Sequence, residues 1–221
     1  MDEQLGVLFD YLRNSERLKS NTLVLVCSDN GPEPGAGSAG PFRGAKTLLY
    51  EGGIRSPLVV WGPGLIDSDR AGSVNRRSFF AAIDLVPTLL EIAGVEAASA
   101  SDSRQAVECD GEPLADVLLG KSNASRSQPL FFRRPPDRDN FYGVDDLPDL
   151  AVRASTWKLL CDYDGSDPQL YDLAADPGET TNLAAQHPDR VRRLTRAVLA
   201  WHQSMPPDNG ANFVKKASGK D

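Results

Sequence analysis

Residues 22–31 read TLVLVCSDNG, and this stretch decides the fold. Its first six residues are apolar or β-branched without interruption, which is typical of a strand buried on both faces of a parallel sheet. Residues 2–19 precede it and place apolar side chains on one helical face, namely Leu5, Leu8, Phe9 and Leu12. A helix that leads into such a strand is half of a βαβ unit, so we expect the preceding strand before residue 1. The pattern predicts an α/β fold.

Oxygen donors follow this strand directly. Loops converge beyond the carboxyl ends of strands in an open parallel sheet, and ligands bind there. Asp29 offers a carboxylate and Asn30 an amide carbonyl, and both are hard donors that suit calcium or magnesium. Adjacent residues of an extended strand point apart, but Gly31 and Pro32 predict a turn that brings both donors to one ion. Asp-Asn-Gly is also a common surface turn, and composition alone favours the turn.

A long loop is predicted for residues 29–53, which contain seven glycines and little hydrophobic periodicity. Long loops in compact domains are usually functional or disordered. Lys46 in this loop could hold an anionic oxygen as a point charge. The alternative is an ordinary solvated lysine. Gly52 and Gly53 indicate a tight turn or close packing rather than contact with a ligand.

The rest of the chain changes from helical to strand character. Asp84 and Pro87 predict a helix through Ile92 that ends at Gly94, and a short helix is expected over residues 114–119. Four short strands are then expected near residues 130–132, 151–153, 157–160 and 169–171, before a final amphipathic helix from about residue 188. We therefore expect an α/β portion at 1–120, an antiparallel-sheet subdomain with a helix at 121–205, and a polar tail at 206–221.

Composition excludes several classes of function. The net charge of −7 provides no basic excess to neutralise phosphates, so a nucleic-acid partner is not expected. The most apolar stretch, residues 79–95, contains two acidic residues and a proline and does not read as a membrane span. Three scattered cysteines and two histidines do not assemble a zinc site. Cys27 is expected to be a small buried hydrophobe, and residues 1–4 do not resemble a signal peptide.

Taken together, these motifs resemble the sulfatase family. The residues that carry the resemblance are Ser28 to Gly31, then Gly44, Lys46, Tyr50 to Gly53, Arg55 and Pro57. Further segments resemble the C-terminal portion of that family: residues 2–6, 83–90, 110–111, 151–153, 157–159, 170–173 and 176–183. So many matches in the right order are not expected by chance.

The resemblance implies an alkaline-phosphatase-like sheet portion followed by a small C-terminal antiparallel sheet packed by a helix. Sulfatases hydrolyse sulfate esters, so the implied partner is a sulfate ester small molecule or a sulfated glycan. Their nucleophile is the hydrated aldehyde of formylglycine, made within a Cys/Ser-x-Pro/Ala-x-Arg motif, and a calcium or magnesium ion binds the sulfate. By the match, Asp29 and Asn30 are metal ligands, and Lys46 is the catalytic residue that binds sulfate. Thr47 stands where the family often has glycine, which we expect to be a mild change.

The departures from the family pattern leave three hypotheses. None of the three cysteines fits the formylglycine motif, and the family's paired aspartates, activating motif and active-site histidine are expected upstream. The chain is a fragment of a sulfatase, a relative that acts on phosphonate or phosphate esters, or a non-catalytic remnant. We expect the isolated chain to be inactive. Family members are commonly periplasmic, secreted or lysosomal, and the chain has no address of its own.

Overall fold

The computed structural model describes residues 2–95, 109–134 and 147–206. These residues contain helices and strands with the following bounds: α1 Asp2–Arg13, α2 Glu16–Ser20, β1 Val24–Cys27, α3 Glu51–Ile54, β2 Leu58–Trp61, α4 Leu85–Ile92, α5 Ala115–Leu118, β3 Leu130–Arg133, β4 Leu150–Ala154, β5 Trp157–Cys161, β6 Gln169–Asp172 and α6 Pro188–Ser204. The contacts divide the chain into two compact units, the first made of residues 1–28 and 57–127, the second of residues 29–56 and 128–221. The boundaries that the sequence predicts at residues 120 and 205 stay predictions.

The first unit contains a two-stranded sheet and four helices among its described residues. β1 pairs with β2 in antiparallel register, with Val24 opposite Trp61. The predicted first helix is divided in two, because Ser15 accepts the Leu18 N–H and starts α2 as a new helix. The predicted helix from Asp84 is confirmed as α4, and it ends before Gly94, whose φ of 67° suits a helix C-terminus.

The parallel neighbour expected for the strand at residues 22–27 stays a prediction, because it was expected outside the described part of the chain. Among the described residues, β1 hydrogen-bonds only to the antiparallel β2, and its residues are half-buried or exposed. Cys27 is exposed and not a buried hydrophobe. A strand with one neighbouring strand and a strand with two can both have an unbroken apolar run. The sequence therefore does not tell which of the two a given run will form.

The second unit is built on a four-stranded antiparallel sheet in the order β3-β4-β5-β6. The four predicted strands and the final helix are confirmed. Asp164 accepts the Ser166 N–H in the turn between β5 and β6, and Gly165 adopts a φ of 85° there. Asp-Gly is a sequence pair that favours a hairpin, and β5 and β6 form one around it.

The two faces of this sheet are covered by different parts of the chain. On one face, a buried cluster of apolar side chains packs against α6; it comprises Leu150, Val152, Leu159, Cys161, Leu170, Leu194 and Val198. On the other face, Leu49 and Tyr50 pack against Ala151, Leu160 and Tyr171. Residues 29–53, called the glycine-rich segment from here on, are therefore the second layer of the unit. The described residues include no helix that is long and apolar enough to span a bilayer.

Candidate functional site

Two parts of the glycine-rich segment are joined by backbone hydrogen bonds. The Gly31 N–H donates to the Gly53 carbonyl over 2.8 Å, and the Lys46 N–H donates to the Pro32 carbonyl over 3.0 Å. The turn that follows Asp29 and Asn30 is therefore fixed against the segment that carries Lys46. The sequence predicted all three residues as one site, and the backbone brings their segments together.

Glycines make this close approach possible. A Cβ atom on Gly31 would lie 1.9 Å from the Gly52 carbonyl oxygen, and one on Gly53 would lie 2.0 Å from that of Leu48. Gly52 is as crowded, since a Cβ there would lie 2.4 Å from the carbonyl oxygens of Arg43 and Gly44. No side chain larger than hydrogen fits at these positions. The interpretation of Gly52 and Gly53 as close-packing residues agrees with these distances.

The Lys46 ammonium group lies 3.2 Å from Glu33 Oε2, and both side chains are roughly half exposed, at 44% and 43%. An ion pair this exposed contributes little to stability. Its significance is chemical, because it brings a carboxylate next to the cation that the sequence predicts to bind sulfate. Sequence reasoning missed Glu33; its position two residues after Gly31 in the same turn was the available signal.

Asp29 and Asn30 are accessible to an ion, since Asp29 is exposed and Asn30 is half-buried. A carboxylate and an amide oxygen are the donor types that calcium and magnesium prefer. Calcium takes six to eight oxygen ligands, so two donors fit only part of a coordination shell. The described residues contain no group of three or more acidic, histidine or cysteine side chains that could hold a metal. The pair therefore fits as a contribution to a cation site and not as a complete one.

Thr47, next to Lys46, has a strained backbone. Its φ is 75°, in the left-handed region, where a β-branched residue is a genuine outlier. Its hydroxyl is buried and has no hydrogen-bond partner among the described residues. The expectation that threonine is a mild replacement for glycine here is therefore wrong, because the position requires the conformation that glycine adopts freely.

A buried charge cluster, made of Glu51, Lys158 and Glu179, lies beneath this segment. Each of the three is at most 1% exposed. The Lys158 ammonium lies 3.1 Å from Glu51 Oε1 and 2.9 Å from Glu179 Oε1. Burial raises the pKa of the Glu179 carboxyl above its usual value, and Lys158 acts in the opposite direction. The sequence did not predict this cluster, because a lysine within a strand pattern gives no sign of burial.

Arg43 is fixed over an aromatic side chain at the edge of the same segment. Its guanidinium carbon lies 3.9 Å from the centre of the Tyr50 ring, and its Nη1 donates to Tyr171 Oη over 3.0 Å. Burial raises the pKa of both tyrosines, and Arg43 opposes that rise. Both hydroxyl groups donate to Gln169 Oε1, each over 2.9 Å. This network ties the segment to β6.

The serine form of the formylglycine motif occurs once in the sequence, at residues 122–126, which read SNASR. The structure gives its arginine another role. Arg126 Nη1 lies 2.7 Å from Asp84 Oδ1, and both side chains are at most 1% exposed. Asp84 also accepts the backbone N–H groups of Ala81 and Glu112. Residues 122–126 therefore form a structural turn of the first unit, held by a buried ion pair.

Comparisons with known proteins show what this chain is similar to. The family model described as Sulfatase matches residues 1–95, which include Asp29, Asn30 and Lys46. A sulfatase of Formosa agariphila is 32% identical over 218 residues, covering 91% of this chain. The chain is thus similar to sulfatases over nearly its whole length.

Other sulfatases match over similar lengths. The choline-sulfatase of Rhizobium meliloti is 32% identical over 212 residues, covering 93% of this chain. A solved structure from a study of glycosaminoglycan metabolism by Bacteroides thetaiotaomicron is 26% identical, covers 91% of this chain and superposes with a TM-score of 0.67. The alkaline-phosphatase-like fold class is confirmed by this likeness.

The match covers only part of each relative. The chain spans 38% of the Formosa agariphila sulfatase, 36% of the choline-sulfatase and 43% of the solved structure. These shares are consistent with the C-terminal portion that the sulfatase motifs indicate. The activity of a whole sulfatase therefore comes to this chain only as a proposal.

Proposed function

We propose that this chain contributes the sulfate-binding lysine and part of the cation site of a sulfatase, an enzyme that hydrolyses sulfate esters. In this proposal Lys46 holds a sulfate oxygen and assists departure of the leaving group, and Asp29 and Asn30 bind calcium or magnesium. The observation that carries the proposal is the pair of hydrogen bonds that joins the Asp29–Asn30 turn to the Lys46 segment. The names of the relatives add support, since both relatives given above are sulfatases.

Charge explains what the proposed residues do. The cation, when bound, supplies positive charge against the sulfate oxygens. The Lys46 ammonium is a compact point charge on a flexible stem, so it can follow an oxygen as negative charge develops on it. The nucleophile in our proposal is formylglycine, and no residue of this chain takes that role. A sulfate ester small molecule or a sulfated glycan is the proposed substrate class.

Glu33 favours sulfate over phosphate in this proposal. A sulfate monoester carries one negative charge, whereas a phosphate monoester can carry two. The Glu33 carboxylate, 3.2 Å from the Lys46 ammonium, repels an anion bound to the same lysine. This repulsion grows with the charge of the anion, so it opposes a phosphate dianion more than a sulfate monoanion.

The test is a titration of the chain with sulfate in the presence of calcium, followed by the NMR signals of the Asn30 and Lys46 amides. We expect sulfate to shift the Lys46 signal, and Lys46→Met to abolish the shift. Asp29→Asn should weaken the dependence on calcium. Lys121→Met is the matched control, because Lys121 is an exposed lysine outside residues 29–53.

Two further comparisons sharpen this test. Glu33→Gln should strengthen binding of sulfate by about two- to fivefold, the range that an exposed ion pair spans. It should strengthen binding of an aryl phosphate at pH 8 by a larger factor than binding of the matching aryl sulfate, because the phosphate monoester carries two negative charges and the sulfate monoester one. An equal response to sulfate in the wild type and Lys46→Met would rule out the proposed role of Lys46.

A further inference from the structure

The buried charge cluster of Glu51, Lys158 and Glu179 is not explained by stability alone. Taking charged groups out of water is costly, and the attraction within a buried pair offsets that cost only when the geometry is good. Apolar side chains at the same positions would often serve stability as well. The cluster is nevertheless complete, since Lys158 lies within 3.1 Å of both carboxylates. Arg153 Nη1 adds a contact of 3.3 Å to Glu51 Oε2.

Glu179 also holds the backbone of the glycine-rich segment. Its Oε2 accepts the N–H of Glu51, the first residue of α3, over 2.6 Å. Tyr50 precedes this helix and its side chain makes no capping hydrogen bond. Glu179 therefore takes the place of a local cap from a distant part of the chain. Its own φ is 54°, an unfavourable conformation for glutamate that persists only where the surroundings impose it.

A continuous series of backbone contacts leads from α3 to the candidate site. The Gly52 N–H donates to the Arg43 carbonyl over 2.7 Å, and the Gly53 carbonyl accepts the Gly31 N–H. A Cβ on Gly53 would lie within 2.5 Å of the carbonyl oxygens of Ala45 and Leu48, the residues that flank Lys46 and Thr47. Packing this close transmits displacement, because neither side has room to yield.

We infer that the buried charge cluster positions both Lys46 and the Asp29–Asn30 turn, although none of its members touches the substrate. This inference rests on the proposed function, because it assigns the cluster to the same site. Lys158, the second residue of β5, is the centre of this cluster. Its ammonium pairs with one carboxylate of α3 and with one from the loop after β6. The rigid sheet thereby sets the location of the proposed sulfate-binding loop.

Amide hydrogen exchange of the chain, measured by NMR, tests the inference without relying on activity. We compare Glu179→Ala, Glu179→Gln and the control Leu194→Ala, which removes a buried side chain from the opposite face of the same sheet. The measured quantity is the exchange rate of the Gly31, Lys46 and Gly52 amides divided by that of amides in β4 and β5. The β4 and β5 amides report the change in global stability, so a rise in the ratio shows loosening of the loop beyond any global change.

We expect Glu179→Ala to raise the ratio at least tenfold and Leu194→Ala not to raise it. Glu179→Gln keeps an acceptor for the Glu51 N–H, so a rise of about threefold is expected, and this variant carries the test if the alanine variant does not fold. The inference is overturned if the Glu179 variants change the ratio no more than Leu194→Ala does.

Sulfate titration in the presence of calcium then separates this inference from the proposed function. Glu179→Ala should raise the dissociation constant for sulfate at least fivefold, and Leu194→Ala should not change it. Equal sulfate affinity in the wild type and Glu179→Ala overturns the inference and leaves the proposed function intact. Absence of any sulfate response in the wild type removes the proposed function, and the exchange ratios still decide whether the cluster positions the loop.

Discussion

Single residues in the candidate site show which positions are under constraint. Thr47 has a φ of 75°, and its buried hydroxyl has no partner among the residues described. Left-handed backbone costs an L-residue about 1–2 kcal/mol, whereas glycine adopts it readily. A threonine at this position therefore raises the free energy of the folded chain. Its hydroxyl makes no hydrogen bond among the described residues that would offset this cost.

Thr47→Gly should increase the free energy of unfolding by about 1 kcal/mol, the relief of strain less the greater entropy of an unfolded glycine. Urea unfolding measures this difference. Ala45→Gly is the matched control, because Ala45 lies in the same loop and is not among the residues with positive φ. The control should lose about 0.5–1 kcal/mol. A loss of stability in both variants would contradict the assignment of strain to Thr47.

At the scale of elements, α3 is formed by tight contacts rather than by helix propensity. Two of its four residues are glycines, which disfavour helix interiors by about 1 kcal/mol each. Its backbone lies so close to the preceding loop that a Cβ on Gly53 would overlap the Leu48 carbonyl oxygen at 2.0 Å. The short helix exists because the surrounding segment closes around it.

Gly53→Ala should lower the free energy of unfolding of the second unit by about 3 kcal/mol or more, because backbone atoms cannot move aside as a side chain can. Gly6→Ala in α1 is the control, since nothing lies within 4 Å of a Cβ at that position. The same substitution there should stabilise by about 0.5–1 kcal/mol. Chemical denaturation measures the free energy of unfolding of both variants. A Gly53→Ala variant as stable as the wild type would contradict the close approach.

The thiol of β5 gives a prediction about pH. Burial, with a smaller effect of Asp162, raises the pKa of Cys161 from 9.0 to about 12. The folded chain then holds this proton more tightly than the unfolded chain, so stability is full below pH 9 and falls as the pH rises toward 12. Between pH 8 and 10.5, the wild type should lose about 2 kcal/mol more than Cys161→Ala. Urea unfolding at both pH values tests this, and parallel losses would contradict it.

Elements with a local signal were predictable from the sequence. The hairpin between β5 and β6 is specified by Asp164 and Gly165. Helix α4 is specified by the start signal at Asp84 and the stop signal at Gly94. The burial of Lys158 was not predictable, because its counter-charges lie 107 positions before it and in the loop after β6. Short-range patterns determine elements, and compensation of buried charge is a long-range property.

The candidate site divides in the same way. Asp29, Asn30 and Lys46 were predicted because they lie in a motif, and their roles stay predictions. The contact of Lys46 with Glu33 was missed because nothing in a sequence fixes a side-chain direction. The pairing of β1 with β2 was also missed, because an apolar run does not indicate whether the neighbouring strand is parallel or antiparallel.

At the scale of the whole molecule, the first unit exposes apolar side chains on a short sheet. Val59 of β2 is 58% exposed, and Val7, Tyr11 and Val86 are also exposed. A two-stranded sheet has two edges, and exposed apolar edges promote association. The most exposed valine of this sheet lies on β2 and not on β1.

The chain should therefore self-associate at rising concentration, and Val59→Lys should reduce that association several-fold. Sedimentation velocity at two or three concentrations measures it. Val74→Lys is the control, because Val74 is 69% exposed but lies outside the sheet. A wild-type chain that stays monomeric and melts cooperatively would contradict the prediction, as would equal effects of the two lysine variants.

The order of synthesis gives the second layer of the four-stranded sheet a further significance. Residues 29–56 belong to the same unit as residues 128–221, although the ribosome makes them roughly a hundred residues earlier. At about 5–20 residues per second, Glu51 leaves the ribosome some 5–20 seconds before Lys158 is made. During that interval, the nascent chain holds a glycine-rich segment with no surface on which to fold. The loop that carries Lys46 can therefore take its final form only after β5 and the loop beyond β6 have been translated.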